Sequence, residues 1–143
     1  MKVRECMSNQ VISVGASEPV SVAARLMSRY NVGSLPVCGA GGKLCGVLTD
    51  RDVTLRCVAA GKNAEKTKVS EIMSAHPVLA GPDDELPAAL QQMSANRLRR
   101  LPVAQRGRLL GMLCLADVGT RGGMPQEAAQ CLSEISQGLK RLE

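Results

Sequence analysis

The chain has 143 residues, 45% hydrophobic and 22% charged, and 18 basic against 13 acidic side chains give a net charge of +5. That is an ordinary soluble composition, long enough for one compact domain or two small ones sharing a core. With no Phe, no Trp and only Tyr30, the core must be aliphatic, and binding single-stranded nucleic acid by stacking bases on rings is excluded.

Taken in chain order, the elements come in two copies. Val20, Ala23, Ala24 and Met27 recur at i, i+3, i+4 and i+7, the stripe of an amphipathic helix. Ser17-Glu18 ahead of it offers acceptors and negative charge near its N-terminus. A short apolar strand follows at Ser34–Cys38, then a tight turn over Gly39–Lys43, a second strand at Leu44–Thr49, and a helix from Asp50 to about Ala60 that stops at Gly61. A polar linker leads to the second copy. There Leu86, Ala89, Leu90 and Met93 repeat the helical stripe behind Asp83-Asp84-Glu85. Strands are expected at Arg99–Val103 and Leu109–Leu113 around a turn at Gln105–Arg108, with a helix from Leu115. Ala128, Leu132, Ile135, Leu139 and Leu142 then predict a C-terminal amphipathic helix, which either caps its own domain or packs on a second subunit.

The copies superpose in sequence. A shift of 66 residues places Met7-Ser8 on Met73-Ser74 and Leu35-Pro36-Val37 on Leu101-Pro102-Val103. After the turn the shift becomes 65, placing Gly46 on Gly111 and Asp52-Val53 on Asp117-Val118. The expected fold class is α/β (α+β): two pseudo-symmetric repeats of strand-helix-strand-strand-helix plus the C-terminal helix. The expected boundaries are 1–62 for the first repeat, 63–68 for the linker, 69–122 for the second repeat and 123–143 for the helix. One copy alone is too small to bury its apolar faces, so the two should pack as a pair.

The run Val3–Ser8, then Val11-Ile12-Ser13-Val14, Leu35-Pro36-Val37 and Gly46-Val47-Leu48-Thr49-Asp50-Arg51-Asp52-Val53, resembles a CBS repeat, and Val69–Val118 carries the same landmarks. The resemblance covers about residues 1–120 and is nearest to small stand-alone bacterial proteins made of little besides two CBS repeats. It implies a disc-shaped Bateman module, often a homodimer, with clefts between the repeats. Family members bind adenosine-containing ligands such as AMP, ATP or S-adenosylmethionine, and some have no known ligand.

On that resemblance Thr49 and Asp52 contact ribose and phosphate, and Arg51 is a candidate for the phosphate. The physical chemistry agrees, since a helix N-terminus offers N–H groups and a carboxylate accepts from vicinal hydroxyls. Thr49-x-x-Asp52 is equally a short-armed helix capping box, and the two roles are compatible. Adenine would be read by the first strand of each copy, around Ile12 and Ser13 or Val78 and Leu79. Pro36, Val47, Pro102 and Met112 are candidates to sandwich the ring, although each also reads as core. In the second copy Asp117 persists, but Cys114 replaces the threonine and the Asp-Arg is lost. Arg99 and Arg100 partly compensate, so the two sites should be unequal.

The reading is therefore a regulatory ligand-binding module, not an enzyme. It requires no cofactor, and its regulated partner is not visible. No catalytic motif appears, and His76 has no evident partner. No metal site is expected, because none of the six cysteines forms C-x-x-C. Nucleic acid is not an expected partner, despite Arg97, Arg99, Arg100, Arg106 and Arg108. No basic-then-apolar leader and no long apolar span occur, so no membrane partner is expected and a cytoplasmic location is. The alternative is a ligand-free interaction or redox-responsive scaffold. If Gly41-Gly42 makes a two-residue turn, Cys38 and Cys45 face each other across the hairpin.

Overall fold

The computed structural model describes residues 1–137. In chain order it holds α1 (Val3–Cys6), β1 (Val14–Gly15), α2 (Val20–Tyr30), β2 (Ser34–Cys38), β3 (Leu44–Thr49), α3 (Asp50–Asp52), α4 (Val69–Ile72), β4 (Ser74–Ala75), α5 (Leu86–Asn96), β5 (Arg100–Gln105), β6 (Arg108–Cys114), α6 (Leu115–Gly119) and α7 (Pro125–Ser136). The fold is mixed α/β. The striped segments form α2 and α5, and the first hairpin has its expected bounds. The leading element differs from expectation. It is a four-residue helix and, further on, a two-residue strand rather than one strand. Beyond α3 the helix widens to a π-helix over Val53–Val58.

The chain divides into two compact units, each drawing on both copies. One comprises Ile12–Pro77 with Gly107–Leu109, and the other comprises Met1–Val11, Val78–Arg106 and the chain from Leu110 onward. In the first-copy unit the sheet order is β1-β2-β3-β4. β1 runs parallel to β2, and the other pairings are antiparallel. The outer strand β4 and the helix before it come from the second copy by sequence. Their Val69 and Ile72 are buried in a core with Val14, Val20, Ala23, Leu35, Val37 and Leu48.

The second-copy unit repeats this arrangement with the roles reversed. Ala80 bridges Val103 in parallel and Ser8 bridges Met112 antiparallel, on either side of the β5–β6 hairpin. Val3 and Cys6 of the first copy are buried among Leu86, Met93, Leu101, Val103 and Leu113. Burying one such aliphatic side chain is worth about 1.5–3 kcal/mol, so each unit leans on the segment lent to it.

The loan is fixed by backbone hydrogen bonds that match position for position. Val69 and Ser70 donate to the carbonyls of Glu18 (2.8 Å) and Ala16 (3.0 Å), and Val20 donates to Thr67 (2.9 Å). Val3 and Arg4 donate to Asp84 and Pro82, and Leu86 donates to Met1, each at 2.9 Å. At the starts of α2 and α5 the Thr67 and Met1 carbonyls take over the task expected of acidic caps. The residues before α2 and α5, Pro19 and Glu85, make no side-chain cap. Asp84 accepts from the Gly81 amide at 2.8 Å instead, and Asp83 pairs with Arg4 at 2.8 Å.

Two glycines admit the lent strands. A Cβ on Gly46 would lie 2.8 Å from the Ser74 carbonyl oxygen, and one on Gly111 would lie 2.5 Å from that of Ser8. The second hairpin turns on Arg106-Gly107, with φ of 53° and 80°, the signature of a type I′ turn. The first does not turn on two residues. A 3-10 turn spans Ala40–Gly42, and the register slips between Val37 and Cys38, so that Cys38 pairs with Leu44. The direct Cys38–Cys45 cross-strand pairing is thereby lost. Cys45 sits at the bulge and donates its thiol to the Val37 carbonyl at 3.3 Å.

α7 lies against α5 and α6. It buries Ala128 and Cys131 and packs Ile135 on the same core, so its described part caps its own unit. Leu139 and Leu142 of the expected seam lie outside the described residues. Among the described residues no helix is long and apolar enough to cross a membrane.

Candidate functional site

Strand alternation sorts the candidate residues of the first-copy unit. Leu35, Val37 and Leu48 point into the core. Pro36 pairs with Val47, and Ser34 pairs with Thr49, on the opposite face of the same two strands. Gly15 pairs with Cys38, so Ser13, two residues earlier on β1's line, falls on that face too. Ser13, Pro36, Val47 and Thr49 thus share the face turned away from their unit's core. Pro36 is buried, Val47 and Thr49 are half-buried, and Ser13 is exposed. Ile12 takes the other parity and packs on the core. Burial pushes the Cys38 thiol up from its ordinary pKa, a hydrogen bond from Ser13 pulls it down, and Cys45 adds a smaller upward push.

At the end of β3 the capping box is fully formed. The Asp52 amide donates to Thr49 Oγ1 at 3.1 Å, and the Thr49 amide donates to Asp52 Oδ2 at 2.9 Å. The Asp50 amide donates to the Gly33 carbonyl at 2.9 Å, and the Arg51 amide donates to Asp50 Oδ1 at 2.9 Å. Every amide from Thr49 to Asp52 therefore has an acceptor within the chain. The expectation of free N–H groups for a phosphate does not hold here. What remains open to a ligand is side-chain chemistry: the exposed Arg51 guanidinium and the second oxygen of Asp52, whose nearest cation is Arg56 at 3.8 Å.

In the second-copy unit, Leu101, Val103 and Leu113 are core, while Arg100, Pro102, Met112 and Cys114 alternate to the other face. Pro102 and Met112 are buried, and Arg99 and Arg100 are exposed. Val78 packs on the core, and Leu79 is 44% exposed. Arg99 contributes its backbone, accepting the Leu115 amide at 2.8 Å. Cys114 makes no side-chain cap, so the box is absent. Asp117 is freed from capping and pairs with Arg121 at 3.2 Å. The Cys6 thiol donates to the Asp117 carbonyl at 3.3 Å. Burial pushes its pKa up, Asp117 adds to that, and Arg121 opposes it. The two junctions are chemically unequal, as the replacement of threonine by cysteine implies.

Arg56 and Arg121 were not among the sequence candidates, although both reach the junction aspartate of their copy. The signal was present, because Asp52/Arg56 and Asp117/Arg121 share an i, i+4 spacing that superposes under the 65-residue shift. Among the described residues no group of three or more His, Cys, Asp or Glu could hold a metal ion.

The model of the CBS domain family matches residues 3–58 and 69–118. The CBS domain-containing protein YhcV of Bacillus subtilis is 37% identical over 134 residues, covering 94% of each chain. A crystal structure of Hypoxic Response Protein I, which holds two coordinated zinc ions, superposes with a TM-score of 0.77 at 30% identity, covering 82% of this chain and 96% of that one. The CBS domain pair of MJ0100, solved with 5′-methylthioadenosine and S-adenosyl-L-methionine, shares the fold with a TM-score of 0.73 at 23% identity, covering 86% and 96%. With both halves matched and the pseudo-symmetric units in place, the chain belongs to the CBS-domain family and carries two CBS domains in tandem.

Proposed function

We propose that this protein is a regulatory module that binds an adenosine-containing small molecule of the AMP, ATP or S-adenosylmethionine class, chiefly on the first-copy face. The observation that carries this reading is the shared face of Ser13, Pro36, Val47 and Thr49 beside a half-buried Asp52 carboxylate. The half-buried Val47, backed by the buried Pro36, offers an apolar contact for a purine. The Asp52 carboxylate can accept two vicinal ribose hydroxyls. Arg51 can meet a phosphate or carboxylate tail. The capping box holds Thr49 and Asp52 in one geometry before any ligand arrives, which lowers the ordering cost of binding. Membership of the family supports the reading, and so does the pair of adenosyl ligands on MJ0100. Pro102, Met112, Arg100 and Asp117 form a weaker second site. The protein works as a cytoplasmic homodimer without catalysis of its own. A redox-responsive scaffold is the second reading, and it would have to work without direct pairing of Cys38 and Cys45, which the slipped register removes.

Thermal shift with AMP, ATP and S-adenosylmethionine tests the first reading. A ligand at one hundred times its Kd stabilises the folded state by about 2.7 kcal/mol, which raises Tm by several degrees in a chain of this size. Thr49→Ala and Asp52→Ala should shrink that ligand-induced rise. If none of the three moves the melting curve, the adenosyl reading falls and the scaffold reading takes its place.

A further inference from the structure

We propose that Arg56 is a positioning residue that ties the ligand-facing carboxylate of Asp52 to the lent segment α4–β4, an inference that rests on the ligand reading above. Its guanidinium spans two otherwise separate features of the first-copy unit. Nε lies 3.8 Å from Asp52 Oδ1. Nη1 donates to the carbonyl oxygens of Ile72 at 3.2 Å and Met73 at 3.4 Å. Those carbonyls close the C-terminus of α4, where basic side chains commonly bond the last carbonyls. Ser74 and Ala75 follow at once and pair with Val47 and Gly46. One side chain therefore touches both the junction and the two residues that lead into β4, the strand after which the chain leaves this unit at Pro77.

The local helix geometry belongs to this arrangement. The Ala59 amide donates to Thr54 at 2.8 Å, an i→i+5 bond of the π-helix that spans Arg56. Such widened turns recur at functional sites. The second copy supplies the internal contrast. Arg121 keeps the ion pair with Asp117 at 3.2 Å, while the Cys6 thiol, not the arginine, bonds across from the leading helix. Among the described residues the relay is thus found in the first copy.

The chemistry sets a direction. Asp52 Oδ2 already accepts the Thr49 amide, which leaves Oδ1, the oxygen that faces Arg56, with the greater acceptor capacity for ligand hydroxyls. Hydroxyl donors there offset part of the carboxylate's pull on the guanidinium. Arg56 then settles more firmly on the Ile72 and Met73 carbonyls, and β4 tightens against β3.

Amide hydrogen exchange of the full chain tests this in two arms. Without ligand, Asp52→Asn and Arg56→Gln should each change exchange at Met73, Ser74 and Ala75 by about 5-fold or more, and the double variant should change it no further than Arg56→Gln alone. Arg25→Gln, an exposed charge loss on α2, should leave those amides unchanged. With AMP, ATP or S-adenosylmethionine at saturation, the wild type should gain protection at Met73–Ala75, and Arg56→Gln should bind yet fail to gain it. Independent, additive effects of Asp52→Asn and Arg56→Gln would overturn the relay. So would unchanged or lowered protection in the liganded wild type. If none of the three ligands binds, the adenosyl reading fails by itself, and the ligand-free arm still decides whether Arg56 couples the two features.

Discussion

Replacing Gly111 or Gly46 by alanine tests the loan of leading segments between the units. In Gly111→Ala the new methyl lies 2.5 Å from the Ser8 carbonyl oxygen and 3.0 Å from Met7 Sδ. In Gly46→Ala it lies 2.8 Å from the Ser74 carbonyl oxygen and 2.6 Å from Met73 Sδ. A methionine can swing aside, but the backbone carbonyls cannot. Ser8 is held by a reciprocal pair of bonds with Met112, at 2.9 and 3.0 Å. The strand must back away, at about 1–3 kcal/mol for overpacking, and strained or broken ladder bonds add about 1 kcal/mol. A loss of about 3 kcal/mol corresponds to a fall in Tm of roughly 6–12 °C for a chain of this size. Gly39→Ala is the control. Its Cβ meets nothing closer than 4.0 Å, and its effect should stay within about 0.5 kcal/mol. Scanning calorimetry of the three variants reads the result. Falls below about 2 °C for both Gly46→Ala and Gly111→Ala would refute the close approach and the lent strands with it.

Cys114→Thr should restore the missing capping box by giving the Asp117 amide a hydroxyl acceptor, raising stability by about 0.5–1 kcal/mol in urea denaturation. A loss would show that the second junction cannot adopt the geometry of the first. Arg106→Asn places the preferred residue at the left-handed first position of the type I′ turn and should raise Tm slightly, where a drop would contradict the turn assignment. Burial pushes the Cys6, Cys38 and Cys131 thiols up. Since these thiols keep their protons longer folded than unfolded, stability should be intact below the unfolded thiol pKa. It should then fall as pH rises through that value toward the folded ones. Urea midpoints measured across that alkaline range, on wild type and on Cys131→Ala, check the sign. A rise in stability with pH there would be wrong for all three.

Much of the fold was legible because it is written in short-range periodicity. The stripes of α2 and α5 and the apolar runs of β2 and β3 are dictated by which neighbours must share a face. The Thr49–Asp52 box was legible too, since both partners lie within one turn. What escaped depends on long-range choices. Nothing local tells Val3 to bury itself with Leu86 rather than with Val20, because the two copies offer nearly equivalent hosts. Four-residue helices such as α1 carry too few positions to show a period. The slip at Val37/Cys38 is a bulge set by the Ala40–Gly42 turn, and it moved Cys45 off its expected partner. The candidate face was half legible. Pro36, Val47 and Thr49 share a parity that the strand bounds already fix, whereas Ile12 and Val78 fall on the core side because they share the parity of the buried Val14 and Ala80.

Mapping amide chemical shifts while titrating AMP, ATP or S-adenosylmethionine into the labelled protein tests the ligand-binding claim most directly. The largest changes should fall on Ser13, Val47, Thr49, Arg51 and Asp52, with smaller ones at Met112, Cys114 and Asp117. Shifts confined to residues away from both junctions, or none with any of the three ligands, would contradict it.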